Sequence, residues 1–71
     1  MSPDKLLYMA KQIATFFASQ PDEDKAERVA QHILDFWEPR MRREFLDLAA
    51  DPAREMPDLV RAAARKLAAT A

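Results

Sequence analysis

One short stretch decides how this chain folds: Phe36-Trp37-Glu38-Pro39-Arg40-Met41-Arg42-Arg43. A proline disfavours α-helical geometry in the residue before it, so a helix arriving from the N-terminal side has to end near Trp37. Proline is also well tolerated as the first residue of a helix, because the N–H group that it lacks has no helical partner there. The stretch therefore predicts two helices that meet at Pro39 with almost no loop between them.

Apolar residues recur at helical spacing on both sides of this corner. Ser2 is a favoured cap for a first helix, and acidic residues favour the start of a second. The predicted helices are Pro3–Ala18, one from the acidic run 22–24 to Trp37, one from Pro39 to about Ala50, and one from Pro57 to about Leu67, with a further turn at 53–56 and a frayed tail from Ala68. The 71 residues thus predict one all-α domain, residues 1–71, of three or four helices with short, proline-punctuated connections.

The predicted apolar faces use most of the large side chains. In the first helix the face comprises Leu6, Met9, Ala10, Ile13, Phe16 and Phe17, with Ala14 at its edge. In the second helix the face ends with Phe36 and Trp37. Three leucines, Leu7, Leu34 and Leu46, fall at or beyond the edges of their faces, which hints at a second buried surface.

Composition excludes several classes of function. The chain has 11 basic and 12 acidic residues, which argues against sequence-independent nucleic-acid binding. No apolar run approaches the ~20 residues of a membrane span, and we identify no signal peptide. The absence of cysteine excludes disulfides and thiolate-bound metals or clusters, and the absence of glycine excludes a phosphate-cradling loop. Such a small chain buries only about 60% of its surface, so we expect marginal stability or self-association in isolation.

Two clusters of polar residues have plain structural interpretations. His32 is the only histidine, and Asp35 follows it at i+3, a spacing that is common on helix surfaces. We therefore interpret His32 as a surface or interface residue and not as a catalytic base. The run Asp22-Glu23-Asp24 lacks the alternating ligands and the glycine of a calcium loop, so it is expected to cap a helix.

The basic residues after Pro39 allow two interpretations. Cations in the first turn of a helix oppose its dipole, which suggests a function outside the helix. Alternatively, the i,i+4 pairs Glu38–Arg42, Arg40–Glu44 and Arg43–Asp47 leave a self-paired surface. Tryptophan and arginine dominate protein–protein hot spots, which favours an interface in which Trp37 anchors the packing. The predicted interface residues are Phe36, Trp37, Arg40, Met41, Arg42 and Arg43.

The corner Phe36-Trp37-Glu38-Pro39-Arg40-Met41-Arg42 resembles the delta subunit of soluble NAD-dependent formate dehydrogenases. Residues 5–17, 30–33 and 57–63 fit the same family, so that the resemblance runs from about Pro3 to Leu67. The chain departs from the family at 51–56, where members carry glycines. We therefore expect the approach to the last helix to differ here.

The resemblance implies an accessory subunit of a cytoplasmic complex that oxidises formate and reduces NAD. The large subunit of that complex is implied to carry a molybdenum or tungsten pterin and iron–sulfur clusters, and the smaller redox subunits flavin and further clusters. The delta subunit is implied to carry none, and to act in structure, in cofactor loading or in maturation of the large subunit. Two rival hypotheses are a dissociable maturation chaperone and a small helical regulator, such as an antitoxin or a DNA-binding module.

We expect the isolated protein to be helical and to carry no stoichiometric metal, cluster or flavin, because it offers no thiolate and a single imidazole. Elemental analysis and an absorption spectrum after desalting check this expectation. A visible absorption band that survives desalting would contradict it.

Overall fold

The computed structural model describes residues 2–21 and 23–70. Over this part of the chain the structure consists of helices and connections without a strand, which confirms the all-α prediction. The helices are α1 (Pro3–Ala18), α2 (Lys25–Phe36), α3 (Pro39–Ala49) and α4 (Asp58–Thr70). α4 continues through 68–70, which corrects the tail predicted to fray from Ala68 for these three residues, whereas Ala71 lies outside the described residues.

Side chains close the N-termini of the first two helices. Ser2 Oγ accepts a hydrogen bond of 3.3 Å from the backbone N–H of Lys5. Asp24 Oδ1 accepts one of 3.0 Å from the backbone N–H of Glu27. This bond and the Lys66 ammonium hold the pKa of the Asp24 carboxyl below its ordinary value. The predicted capping role of the acidic run is therefore confirmed for Asp24, whereas Asp22 lies outside the described residues.

The C-termini of the helices are closed without a left-handed residue. No described residue has a positive φ, in keeping with a chain that lacks glycine. α1 ends at Ala18 with Ser19 as its C-cap, and the Lys25 ammonium at the start of α2 donates to the carbonyl oxygen of Ala18 at 2.7 Å. A cation at this point satisfies a carbonyl that has no helical partner and complements the negative end of the dipole.

Arg61 of α4 closes the C-terminus of α3 in the same way. Its guanidinium donates to the carbonyl oxygen of Ala49 at 2.8 Å and to that of Arg54 at 2.6 Å. The second bond holds the connection between α3 and α4, where Arg54 N–H donates to Asp51 O in a turn. The further helical turn predicted at 53–56 is wrong: this connection has turns and bends but no helix, because Asp51 Oδ1 also engages the backbone N–H of Ala53.

The core differs from the predicted apolar face of α1 by a rotation about the helix axis. Leu7 and Ala14, placed at the edge, are buried, whereas Phe16, placed on the face, is 59% exposed. The reason is that Ala10 and Ala14 lie on the same face of α1 as Leu7, three and seven residues after it, and short side chains allow a neighbouring helix to approach that face closely. The buried residues form one cluster: Leu6, Leu7, Ala10, Ala14, Val29, Ala30, Ile33, Trp37, Phe45, Val60, Ala63, Ala64 and Leu67.

The three leucines at the edges of their faces do not form a second surface. Leu7 is buried within the core cluster. Leu34 and Leu46 are partly buried and pack against the same cluster. Each helix packs against several neighbours around one small core. These neighbours cover a wider arc of its surface than a single helix would, so residues at the margins of the apolar face are also enclosed.

Trp37 and Phe36 are adjacent aromatics with opposite surroundings. Trp37 is 6% exposed, and its ring meets that of Phe45 edge-on with centroids 5.7 Å apart. Phe36 is 74% exposed, which corrects its predicted place on the apolar face of α2. Trp37 is the C-cap of α2, and its backbone is extended (φ −91°, ψ 144°), whereas Phe36 is the last residue with helical geometry.

Replacing Trp37 with alanine should lower the free energy of unfolding by about 3–5 kcal/mol, because a large buried ring is lost from the core. The matched change Phe36→Ala removes an exposed ring and should alter stability by no more than about 0.5 kcal/mol. Urea denaturation followed by circular dichroism compares the two. Equal losses would contradict the assignment of Trp37 as the core anchor.

Candidate functional site

The three arginines of the corner differ in their surroundings, because one forms hydrogen bonds within the fold and the other two are exposed. Arg42 is half-buried, and its Nη1 donates to the carbonyl oxygen of Trp37 at 2.6 Å and to that of Leu34 at 3.4 Å. These carbonyls belong to the last turn and the cap of α2. Arg42 therefore closes the C-terminus of α2 from the first turn of α3, which sequence reasoning missed.

Arg40 and Arg43 are exposed, and within residues 2–21 and 23–70 the structure gives their guanidiniums no hydrogen bond or ion pair. The predicted i,i+4 pairs of the self-paired interpretation do not form among these residues. Arg40 lies in the first turn of α3, where the helix dipole disfavours a cation, and Arg43 is the residue after that turn. They are thus available to bind an anionic group.

Ion pairing is found elsewhere in the described part of the chain, between α2 and α4. Lys66 Nζ lies 3.2 Å from Asp24 Oδ2 and 3.8 Å from Glu27 Oε2. All three side chains are well exposed, so the pairs contribute little to stability. Met41, the remaining predicted interface residue, is half-buried against the core.

Four rings form a second feature, the aromatic patch, made of Phe16, Phe17, His32 and Phe36. The Phe16 and Phe17 centroids lie 5.1 Å apart in an edge-on arrangement. His32 joins the two helices, with its ring 6.1 Å from that of Phe17 and 4.7 Å from that of Phe36. Phe17 and His32 are half-buried, whereas Phe16 and Phe36 are largely exposed. A shallow cavity of about 180 Å³ is lined by three of these rings, Phe17, His32 and Phe36, together with Arg28, Gln31 and Asp35.

His32 is not paired with Asp35 in this arrangement. Asp35 Oδ1 instead accepts a hydrogen bond of 2.9 Å from Gln31 Nε2. The histidine is held between phenylalanines, where it contributes a flat ring to a surface. Its placement fits the interpretation as a surface or interface residue.

The chemistry that this surface offers is binding by rings and guanidiniums. Among the described residues, no polar or charged residue is buried, and no three potential metal ligands come together. In the same part of the chain, no helix has the length and apolar character needed to cross a membrane.

Comparison with known proteins assigns the chain to a family. The family model of the NADH-dependent formate dehydrogenase delta subunit, FdsD, matches residues 5–64. The chain belongs to this family. The match confirms the resemblance seen in the sequence, and it includes the corner and the aromatic patch. Neither the curated proteins nor the solved structures that were searched gave a match.

Membership of the FdsD family has a direct consequence for partners. The family is described as one subunit of formate dehydrogenase, which implies association with the other subunits of that enzyme.

Arg42→Ala should lower the free energy of unfolding by about 1–3 kcal/mol, because it leaves the half-buried carbonyl oxygens of Trp37 and Leu34 without their donor. Arg43→Ala, one residue away, should change stability by no more than about 0.5 kcal/mol. Urea denaturation of both variants provides the measurement. An Arg42 variant as stable as the Arg43 variant would show that the carbonyls do not depend on this guanidinium.

Proposed function

We propose that this chain is a non-catalytic accessory subunit of a cytoplasmic, molybdenum- or tungsten-containing NAD-dependent formate dehydrogenase. It supports assembly, stability or cofactor loading of the large subunit. The observation that carries this proposal is membership of the delta subunit family over residues 5–64. The exposed rings and guanidiniums support it, since they suit binding to another protein.

The proposal assigns the redox chemistry to other subunits. The pterin, the iron–sulfur clusters and the flavin belong to the partners, and this chain holds none of them. Its lack of cysteine and its single histidine support this division, because cluster ligation requires several such ligands. The contribution of the chain is then a surface and not a reacting group.

An accessory subunit can act on its partner by mass action alone. A protein that binds only the folded form of the large subunit stabilises it by about 2.7 kcal/mol when present at 100 times its dissociation constant. The same binding favours any form of the large subunit that is ready to accept its cofactor, provided that the delta subunit prefers that form. A permanent subunit and a maturation chaperone differ only in whether this complex persists.

Arg40 and Arg43 are the contacts that we assign to the large subunit. Their exposure and their lack of a partner among the described residues support this assignment. Arg42 is a poorer candidate than the sequence suggested, because its guanidinium already holds the end of α2. Carboxylates on the partner would relieve the unfavourable placement of Arg40 in the first turn of α3.

Sizing chromatography of the complex, purified through a tag on the large subunit, tests the proposal. We expect this chain to elute with the large subunit at a fixed stoichiometry. Deleting its gene should lower the amount or the molybdenum content of the large subunit. A chain that is needed for loading but is absent from the purified enzyme would indicate the maturation chaperone instead.

Arg40→Ala combined with Arg43→Ala should weaken retention of the folded chain by the large subunit most strongly at low salt concentration, and the difference from the wild type should shrink as the salt concentration rises, because salt screens the ion pairs that only the wild type can form. The matched control, Lys5→Ala with Lys11→Ala, removes two exposed cations from α1 and should be retained like the wild type. Retention of the double arginine variant at the wild-type ratio at all salt concentrations would show that these arginines form only a solvated surface.

A further inference from the structure

The aromatic patch leaves two large rings exposed, although its Phe17 also packs against the core. Phe16 is 59% exposed and Phe36 is 74% exposed, although both rings contact other rings of the patch. For aromatic side chains of about 200 Å², these fractions amount to roughly 250 Å² of exposed ring. A patch of this size, about 300 Å² once the half-buried rings are counted, is commonly functional.

The patch lies close in sequence to two exposed cations of the corner, Arg40 and Arg43. Phe36 is the last residue of α2 and Arg40 is the second residue of α3. Four residues span at most about 14 Å, so the guanidinium-bearing turn of α3 begins close to the most exposed ring. The carboxylate nearest in sequence on α2, Asp35, already accepts a bond from Gln31.

Area, charge and family membership together indicate which occupant suits the patch. A stable interface covers about 800 Å² on each partner, so the patch would supply roughly a third of one. A two-fold dimer across the patch would bring the exposed Glu38 of both copies toward the same area as Arg40 and Arg43, so charge alone does not select a second copy. A partner that bears carboxylates around an apolar projection matches both the rings and the two cations, and membership of the delta subunit family points to another subunit of formate dehydrogenase as that partner.

We propose that Phe16, Phe17, His32 and Phe36 are the docking anchor of this subunit, and that they receive an apolar side chain of the large formate dehydrogenase subunit whose flanking carboxylates bind Arg40 and Arg43. This inference rests on the proposed function and names the surface through which it operates. Within the anchor, Phe17 and His32 are half-buried, and Phe16 and Phe36 are largely exposed. Such central aromatics surrounded by a polar rim are typical of hot spots.

A competition experiment in the assembled enzyme tests the anchor. Wild-type chain and one variant are co-expressed at equal levels with the tagged large subunit, and mass spectrometry gives their ratio in the purified complex. Phe36→Ala and Phe16→Ala should each be retained at a tenth of the wild-type level or less. Tyr8→Ala is the matched control, because Tyr8 is another exposed aromatic of α1, 63% exposed, outside the patch, and it should compete equally.

Circular dichroism of the isolated variants confirms that each remains folded before its ratio is interpreted. Equal retention of the phenylalanine variants and the wild type would overturn the anchor while leaving the accessory role intact. Failure of the wild type itself to be retained would overturn the accessory role and the anchor with it. An isolated dimer that Phe36→Ala converts to a monomer would assign the patch to a second copy of this chain instead.

Discussion

The constraint on which this structure depends is that a chain without glycine must close its helices by other means. A helix leaves its last carbonyl groups unpaired, and the usual left-handed ending is costly for any residue that carries a Cβ. Here the following helix supplies a cation each time: Lys25 for α1, Arg42 for α2 and Arg61 for α3. Each of these bonds joins the end of one helix to a later helix. The same hydrogen bond therefore caps one helix and holds it against a later helix.

This arrangement divides the corner around Pro39 into an inner and an outer half. Trp37 and Arg42 turn inward, one to fill the core and the other to bind the carbonyls that Trp37 and Leu34 present. Phe36 and Arg43 remain outside. Neighbouring residues of the same chemical type thus have different roles, because one of each pair stabilises the fold and the other stays exposed.

The aromatic patch shows how tertiary structure assembles a surface that no segment contains. Phe16 and Phe17 come from the last turn of α1, whereas His32 and Phe36 lie one turn apart on α2. The imidazole of His32 contacts both Phe17 of α1 and Phe36 of α2, because the short connection between these helices brings the end of α1 beside α2. The FdsD family is described as a subunit of formate dehydrogenase, and a subunit has to present a binding surface to the rest of its enzyme.

The sequence by itself determined the family, the all-α class and the ends of most helices. Ser2, Asp24 and Pro39 act through bonds and steric contacts within a few residues, so their effects can be predicted without knowing the rest of the fold. The tertiary structure decided the rotation of each helix about its axis, and with it the burial of Leu7 in place of Phe16. It also decided that Arg42 binds carbonyls of α2 and not the carboxylate of a neighbouring turn. Periodicity predicts that a helix has an apolar side, but its exact width and centre depend on which neighbours cover it, and those contacts join residues far apart in the chain.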